Sequence, residues 1–258
     1  MWIDSHCHLH AEEFATDRAM VWRDACALGV TAALLPAVTI ADCVRVDACC
    51  AHYSGLSPAY GIHPLYVDSA SEADLERLSG LLEGVRPVAI GEIGLDGLVP
   101  HVDFARQEFF FVAQLKLARA FDLPVVLHER KAVDMVLKHL RRIRVRGGIA
   151  HAFNGSRQQA DEFLKLGFKL GFGGSLSYSG STRIRALAQS LPEEALTLET
   201  DAPDMPPCWL HRARNTPSQL PAIGRVLADL RGTTVEHIAR LTRQNTLTAL
   251  PALASRIG

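Results

Sequence analysis

The sequence predicts an α/β fold, a (β/α)8 TIM barrel forming a single domain over residues 1–258, on three observations. Eight short apolar runs rich in β-branched residues recur along the chain, roughly 25–35 residues apart. Segments of helical character separate them, as a parallel βα repeat requires. Most of the runs stop at a histidine, glutamate or aspartate, and a barrel's active site is built at the C-terminal ends of its strands. No Gly-x-Gly-x-x-Gly follows the first run, which disfavours an open doubly wound sheet.

Taken in order, the first run, MWIDSHC, delivers His6 and His8. The second is VTAALLPA from Val30. The third, LSPAYGI from Leu56, runs into His63. DLERLSGLLEGV then reads as a helix closing near Gly84, a suitable C-cap. The fourth run, RPVAIGEIG from Arg86, carries Glu92. In EFFFVAQLKLARAFD, the residues Phe110, Ala113, Leu117 and Phe121 fall on one face at helical spacing. The fifth run, LPVVLHE from Leu123, brings His128, and the sixth, GGIAHAF from Gly147, brings His151. FKLGFGG from Phe168 is the seventh, and ALTLETD from Ala195, the eighth, ends on Asp201. One histidine at a strand end is usually an ordinary core or cap residue. Six strand ends with metal-type side chains are not explained that way.

Composition narrows the partners. Hydrophobic residues make up 48% of the chain, enough for a sizeable core. A net charge of -1 leaves no excess for a broad basic face along duplex DNA, so any nucleic acid would be met locally, at an end or in a cleft. There is no apolar run long enough to span a membrane, and His6 falls where a leader's apolar stretch would lie. The six cysteines form no C-x-x-C pair, which suits reduced thiols and a cytoplasmic location. No obligate protein partner is evident.

Residues i and i+2 of a strand share a face. His6 and His8 should therefore project together into the barrel mouth, with Cys7 turned toward the helical layer as a small buried thiol. His10 keeps the same parity but is expected in the loop at the rim. Asp4 should either orient an imidazole or cap the barrel floor. Glu92 sits within the apolar strand AIGEIGLD and Asp201 follows the apolar TLET, where a carboxylate is costly unless paired or metal-bound. A salt bridge to Arg130 or Lys131 would satisfy them but leave the histidines unexplained. Two carboxylates and four histidines suit two cations sharing a carboxylate, which can clamp a phosphoryl group and acidify a bridging water. Glu199 is a candidate supporting residue by parity. Asn154, Gly155 and Ser156, or Gly173, Gly174 and Ser175, could hold an anion or be ordinary turn and cap residues. Arg130 could touch a phosphate.

IDSHCHLH, GIHP, GEIGLD, LPVVLHER, HAFNGS and LETDAPDMP, in this order, resemble the TatD-type metal-dependent deoxyribonucleases and hydrolases of the amidohydrolase superfamily. The likeness runs from Ile3 to about Pro217 and returns in LTRQNT; ETDAPDMP is most similar to one bacterial subgroup. It implies one metal held by His6, His8, Glu92 and Asp201, and a second held by Glu92, His128 and His151. The metals would be Mg, Mn or Zn. It places His63 near the scissile phosphate and has Asp201 or Glu92 guide the attacking water, with DNA ends or short single-stranded DNA as substrate. A small-molecule amidohydrolase or phosphoesterase on the same two-metal barrel is the alternative. Two departures stand out: Gly97 replaces the aromatic residue common after GEIGLD, and Arg212, Arg214 and Asn215 keep an Arg/Asn motif with altered spacing.

Overall fold

The computed structural model describes residues 1–84 and 86–256, so Val85 and the last two residues of the chain lie outside the described part. Eight parallel strands form one sheet in sequence order: β1 (Trp2–Asp4), β2 (Val30–Pro36), β3 (Leu56–Tyr60), β4 (Ala89–Asp96), β5 (Val125–Arg130), β6 (Gly148–Ala150), β7 (Phe168–Phe172) and β8 (Leu196–Leu198). Seven helices occupy the connections: α1 (Arg18–Ala27), α2 (Ile40–His52), α3 (Glu72–Gly84), α4 (Phe104–Ala120), α5 (Val133–Arg142), α6 (Arg157–Lys165) and α7 (Thr182–Ser190). Two more, α8 (Leu220–Arg231) and α9 (Val235–Ala249), follow β8. Just past the strand ends, the Ser5 N–H donates to Leu198 O at 3.0 Å and the Asp201 N–H to His6 O at 2.9 Å. These bonds bring β8 against β1 and close the ring, giving the TIM barrel that the sequence predicts.

Alternation along the strands sorts the core into two layers. Ile3, Ala32, Leu34, Ala59, Val126 and Ile149 pack in the barrel interior, with Leu250 and Leu253 beneath them as a floor. Trp2, Ala33, Leu35, Leu127 and Leu170 face outward into the layer between sheet and helices. Several helices begin on side-chain caps that the sequence makes plain: Thr39 for α2, Asp103 for α4, Ser156 for α6 and Thr234 for α9.

Most strands are shorter than the apolar runs suggest, three of them by four residues. β1 ends at Asp4 rather than Cys7, β6 at Ala150 and β8 at Leu198. The ligand-type residues follow in bends, because the backbone must leave the ladder to lean over the mouth. Ala152 and Asp201 accordingly sit in the left-handed region, at φ 47° and 57°. β4 is the exception, fully buried over its eight residues, with an irregularity in its pairing to β5 between Ile90 and Ile93. Gly94 lies where the two backbones meet. A β-carbon there would stand 1.8 Å from His128 O, and the φ of 153° is one that glycine alone adopts easily.

Candidate metal centre

Glu92 is the hub of the mouth. It is 2% exposed, and its two oxygens face different groups of imidazoles. Oε2 lies 3.1 Å from His6 Nε2 and 3.5 Å from His8 Nε2. Oε1 lies 2.9 Å from His151 Nε2, 3.0 Å from His128 Nδ1 and 3.3 Å from His63 Nε2. Asp201 Oδ1 adds 3.5 Å and 3.6 Å approaches to His6 and His8. All six predicted ligands and His63 thus converge on one point. Burial opposes ionisation of Glu92, but His151, His63, His6 and His128 outweigh it and hold its carboxyl well below the usual range. Asp201 moves the opposite way, pushed up chiefly by burial. Neither carboxylate turns to Arg130 or Lys131.

His6 and His8 face each other across 3.2 Å, while the His6 ring stacks on His151 at 3.9 Å. Cys7 points away from the mouth: it is buried among outward core residues, its Sγ 3.8 Å from Ala202 O, and burial pushes its thiol far up. Asp4 differs from both roles expected of it. It accepts from the Thr200 N–H at 3.0 Å, the Thr200 hydroxyl at 2.6 Å and the His6 backbone N–H at 3.3 Å. It therefore fixes His6 through the main chain, not through the imidazole, and ties β1 to the segment carrying Asp201. Asn215 clamps that segment from the other side, donating to Thr200 O at 2.8 Å and Asp204 O at 2.9 Å.

The two histidines beyond Glu92 Oε1 are distinguished by their second nitrogens. His128 Nε2 lies 3.0 Å from Asp96 Oδ2. A carboxylate only accepts, so Nε2 carries a proton; by the same rule Nδ1 donates to Glu92 Oε1 at 3.0 Å, and it would give up that proton and turn its lone pair outward only to a bound cation. Burial disfavours charge on His128, yet Asp96 and Glu92 outweigh it and raise its pKa. His63 is the reverse. Its Nδ1 accepts the Leu65 N–H at 3.1 Å, leaving the proton of the neutral ring on Nε2. His63, Glu92 and His128 lie close enough to form a ligand set, but an Nε2–H is a donor aimed into the site. Asp96 was the residue that sequence reasoning passed over. It stands in GEIGLD itself, and its signal was a buried carboxylate one strand away from His128.

His10 is buried at 5% exposure, not open at the rim, with Nε2 3.0 Å from Asp42 Oδ2. Glu199 accepts the Ala152 N–H at 2.5 Å and approaches His151 Nδ1 to 3.8 Å. Gly171 makes room for it, since a β-carbon there would lie 2.1 Å from Glu199 Oε2. Burial pushes the Glu199 carboxyl up to about 8. Ser156 spends its hydroxyl and N–H in a capping box with Gln159, so its part is structural. Gly174 packs on the Met205–Pro207 backbone, outside the cavity wall. Arg214 pairs with Asp17 over the Phe14 ring, also away from the mouth. Above the hub opens a cavity of about 1270 Å³, lined among others by Tyr66, Arg130, Lys131, Asn154 and Arg183. Tyr66, exposed on the turn after His63, stands as an aromatic surface at the mouth where Gly97 offers none.

Comparison with known proteins shows the family and the fold. A protein-family model described as TatD related DNase matches residues 3–251. The chain is 38% identical over 250 residues to the Escherichia coli K12 protein named uncharacterized metal-dependent hydrolase YjjV, covering 96% of both. It is 34% identical over 253 residues to the 3'-5' ssDNA/RNA exonuclease TatD of Klebsiella pneumoniae, covering 95% of this chain and 96% of that one. The crystal structure of the E. coli TatD homolog YjjV matches with a TM-score of 0.93 at 38% identity, over 97% of this chain and 98% of that one. A TatD family hydrolase from Entamoeba histolytica, at 20% identity, shares the fold with a TM-score of 0.85 over 96% of this chain and 97% of its own. The motifs, the barrel and the matched span agree, and the chain belongs to the TatD-related DNase family.

Proposed function

We propose that the protein is a metal-dependent hydrolase that cleaves phosphodiester bonds in DNA, at strand ends or in short single strands. The observation that carries this reading is the Glu92 carboxylate, one oxygen turned to His6 and His8 and the other to His128 and His151. The donor set fits divalent cations. Imidazole edges crowd one buried carboxylate, and the Nδ1 atoms of His6 and His151 have no hydrogen-bond partner among the described residues. His6, His8, Glu92 and Asp201 would hold one cation, and Glu92, His128 and His151 a second. Magnesium, manganese and zinc are the candidates, and the nitrogen-rich set favours the latter two. When bound, such a pair supplies Lewis acidity toward phosphate oxygens and eases ionisation of water.

The chain's own residues do the rest. Asp201, its carboxyl raised by burial, guides the attacking water and takes its proton. Glu92 stays ionised and orients the ligands around it. His63 donates its Nε2–H to a phosphate oxygen, and Arg130 adds charge at the wall. All six ligands come from one chain, so the site needs no second protein to complete it. Six unpaired cysteines suit a reducing compartment, and we place the protein in the cytoplasm. Among the described residues no helix is long and apolar enough to cross a membrane.

A nucleic-acid substrate is supported by the exonuclease name of the Klebsiella relative and by the cavity size. At about 1270 Å³ it exceeds the roughly 300–1,000 Å³ usual for small-ligand sites. A small-molecule ester or amide hydrolase is the second reading, favoured by the acidic side chains Glu12, Glu13 and Asp204 in the wall. Metal-replete protein assayed on labelled single-stranded DNA, duplex DNA and a panel of small esters and amides separates them. Turnover of single strands is the expected result; activity confined to the small substrates overturns the nuclease reading.

A further inference from the structure

The charges around the cavity are not mixed evenly. Glu12 and Glu13 lie on the turn after β1, and Asp204 follows β8, the strand beside it; all three line the cavity. The cations behind this arc are engaged elsewhere. Arg214 pairs with Asp17, and Arg18 donates to the carbonyls of Leu9, His10 and Ala11. Arg45, farther round, is bound to Asp42 at 2.8 Å. Arg130 and Lys131, after β5, line the side across the ring from β1, Arg130 with Nη1 3.8 Å from Asp96 Oδ2; Arg183, after β7, lies between them and the acidic arc. Two acids also lie on that side: Asp134, which accepts from the Gln159 amide at 2.8 Å, and Glu129, which is buried beneath the surface.

A second feature of the acidic arc points to the group that belongs there. Asp42 Oδ2 receives both the Val38 N–H at 2.9 Å and His10 Nε2 at 3.0 Å, so the His10 proton is on Nε2. Its Nδ1 is therefore an acceptor, and it has no partner among the described residues although it is buried. Such a wall accepts hydrogen bonds and repels phosphate.

Resting on the nuclease reading, we propose that the mouth selects a hydroxyl-terminated strand end. The terminal sugar hydroxyl lies against the β8–β1 wall of His10, Glu12, Glu13 and Asp204, and the phosphates of the remaining strand run over Arg130, Lys131 and Arg183. A terminal phosphate on the entering end would meet like charges across the cleft.

The test uses one labelled single strand in four forms, with hydroxyl or phosphate at each end, and the metal-replete full chain. A phosphate on the end from which nucleotides are shed should lower kcat/KM roughly tenfold or more, the size of a few partly screened charge repulsions. A phosphate on the far end should change little. Glu12→Gln, Glu13→Gln and Asp204→Asn, singly and combined, should raise the phosphate-to-hydroxyl rate ratio toward one. Lys131→Gln should instead raise KM for both forms and leave the ratio alone. Equal rates on the two forms, or a ratio unmoved in the folded acid variants, overturn the proposal while the nuclease reading stands. Cleavage of no strand in any form overturns both.

Discussion

Replacing Asp96 with asparagine should weaken the second cation site without touching a ligand. Asp96 accepts twice, from the Leu98 N–H through Oδ1 at 2.8 Å and from His128 through Oδ2 at 3.0 Å. Gln107 holds its backbone from both sides, at 2.7 Å and 3.1 Å, so the side chain has little freedom to re-aim. An asparagine has one acceptor oxygen for these two donors. Either the Leu98 N–H or the His128 Nε2–H then faces an amide NH2. The imidazole relieves the second clash by moving its proton to Nδ1, the nitrogen 3.0 Å from Glu92 that a cation needs. Losing such a support typically costs about 10–100-fold in metal affinity, or roughly 1.4–2.7 kcal/mol. Chelator-competition titration of wild type and Asp96→Asn would read this as one weakened and one near-normal site, with circular dichroism confirming the fold. Two sites of unchanged affinity in a folded Asp96→Asn would refute the assignment of the His128 proton to Nε2.

Three further outcomes are expected. Cys7→Ser should leave the metal content unchanged while lowering stability by about 1–3 kcal/mol in a denaturant titration, because a hydroxyl replaces a buried thiol; loss of metal would contradict the outward orientation of Cys7. His63→Ala should keep both cations and lower kcat by roughly a hundredfold or more, as for a lost transition-state donor; loss of one metal equivalent by elemental analysis would make His63 a ligand instead. Burial opposes ionisation of Asp42, but His10, the Val38 N–H and Arg45 hold its carboxyl below the ordinary 3.8. A depressed folded-state pKa adds stability above that pH and forfeits it as pH falls. The stability gap between wild type and Asp42→Asn, measured by denaturation across acid pH, should therefore shrink below about 3.8, and a gap independent of pH would rule this out.

Much of the site was legible because its ligands sit at repeating places. His6, His151 and Asp201 each follow an apolar strand, and Glu92 and His128 stand within β4 and β5, each past an apolar start, so chain order alone assigns them to one barrel face. Cys7 does lie apart from its histidine neighbours, but the bend after β1 places it there, since β1 stops before any of them and Ile3 already faces inward. Parity failed at Asp4, whose side chain reaches Thr200 and not an imidazole, because the bend after β1 breaks the alternation. What a single sequence does not display is which groups distant in the chain share a hydrogen bond. The links from His128 to Asp96, His10 to Asp42 and Asn215 to Thr200 each depend on loop paths rather than on period. The same holds for the tautomer of His63, set by one backbone N–H at Leu65. The helix-start reading of Ser156 needed only local chemistry, and the capping box realises it.

The shared carboxylate is tested most directly by counting metal. Elemental analysis of wild type and Glu92→Gln, each loaded with manganese or zinc and then desalted, gives the number of ions per chain. Two ions in the wild type and fewer than one in Glu92→Gln are predicted, since Glu92 alone faces both groups of imidazoles. A folded Glu92→Gln that still holds two ions would contradict a site built around that residue.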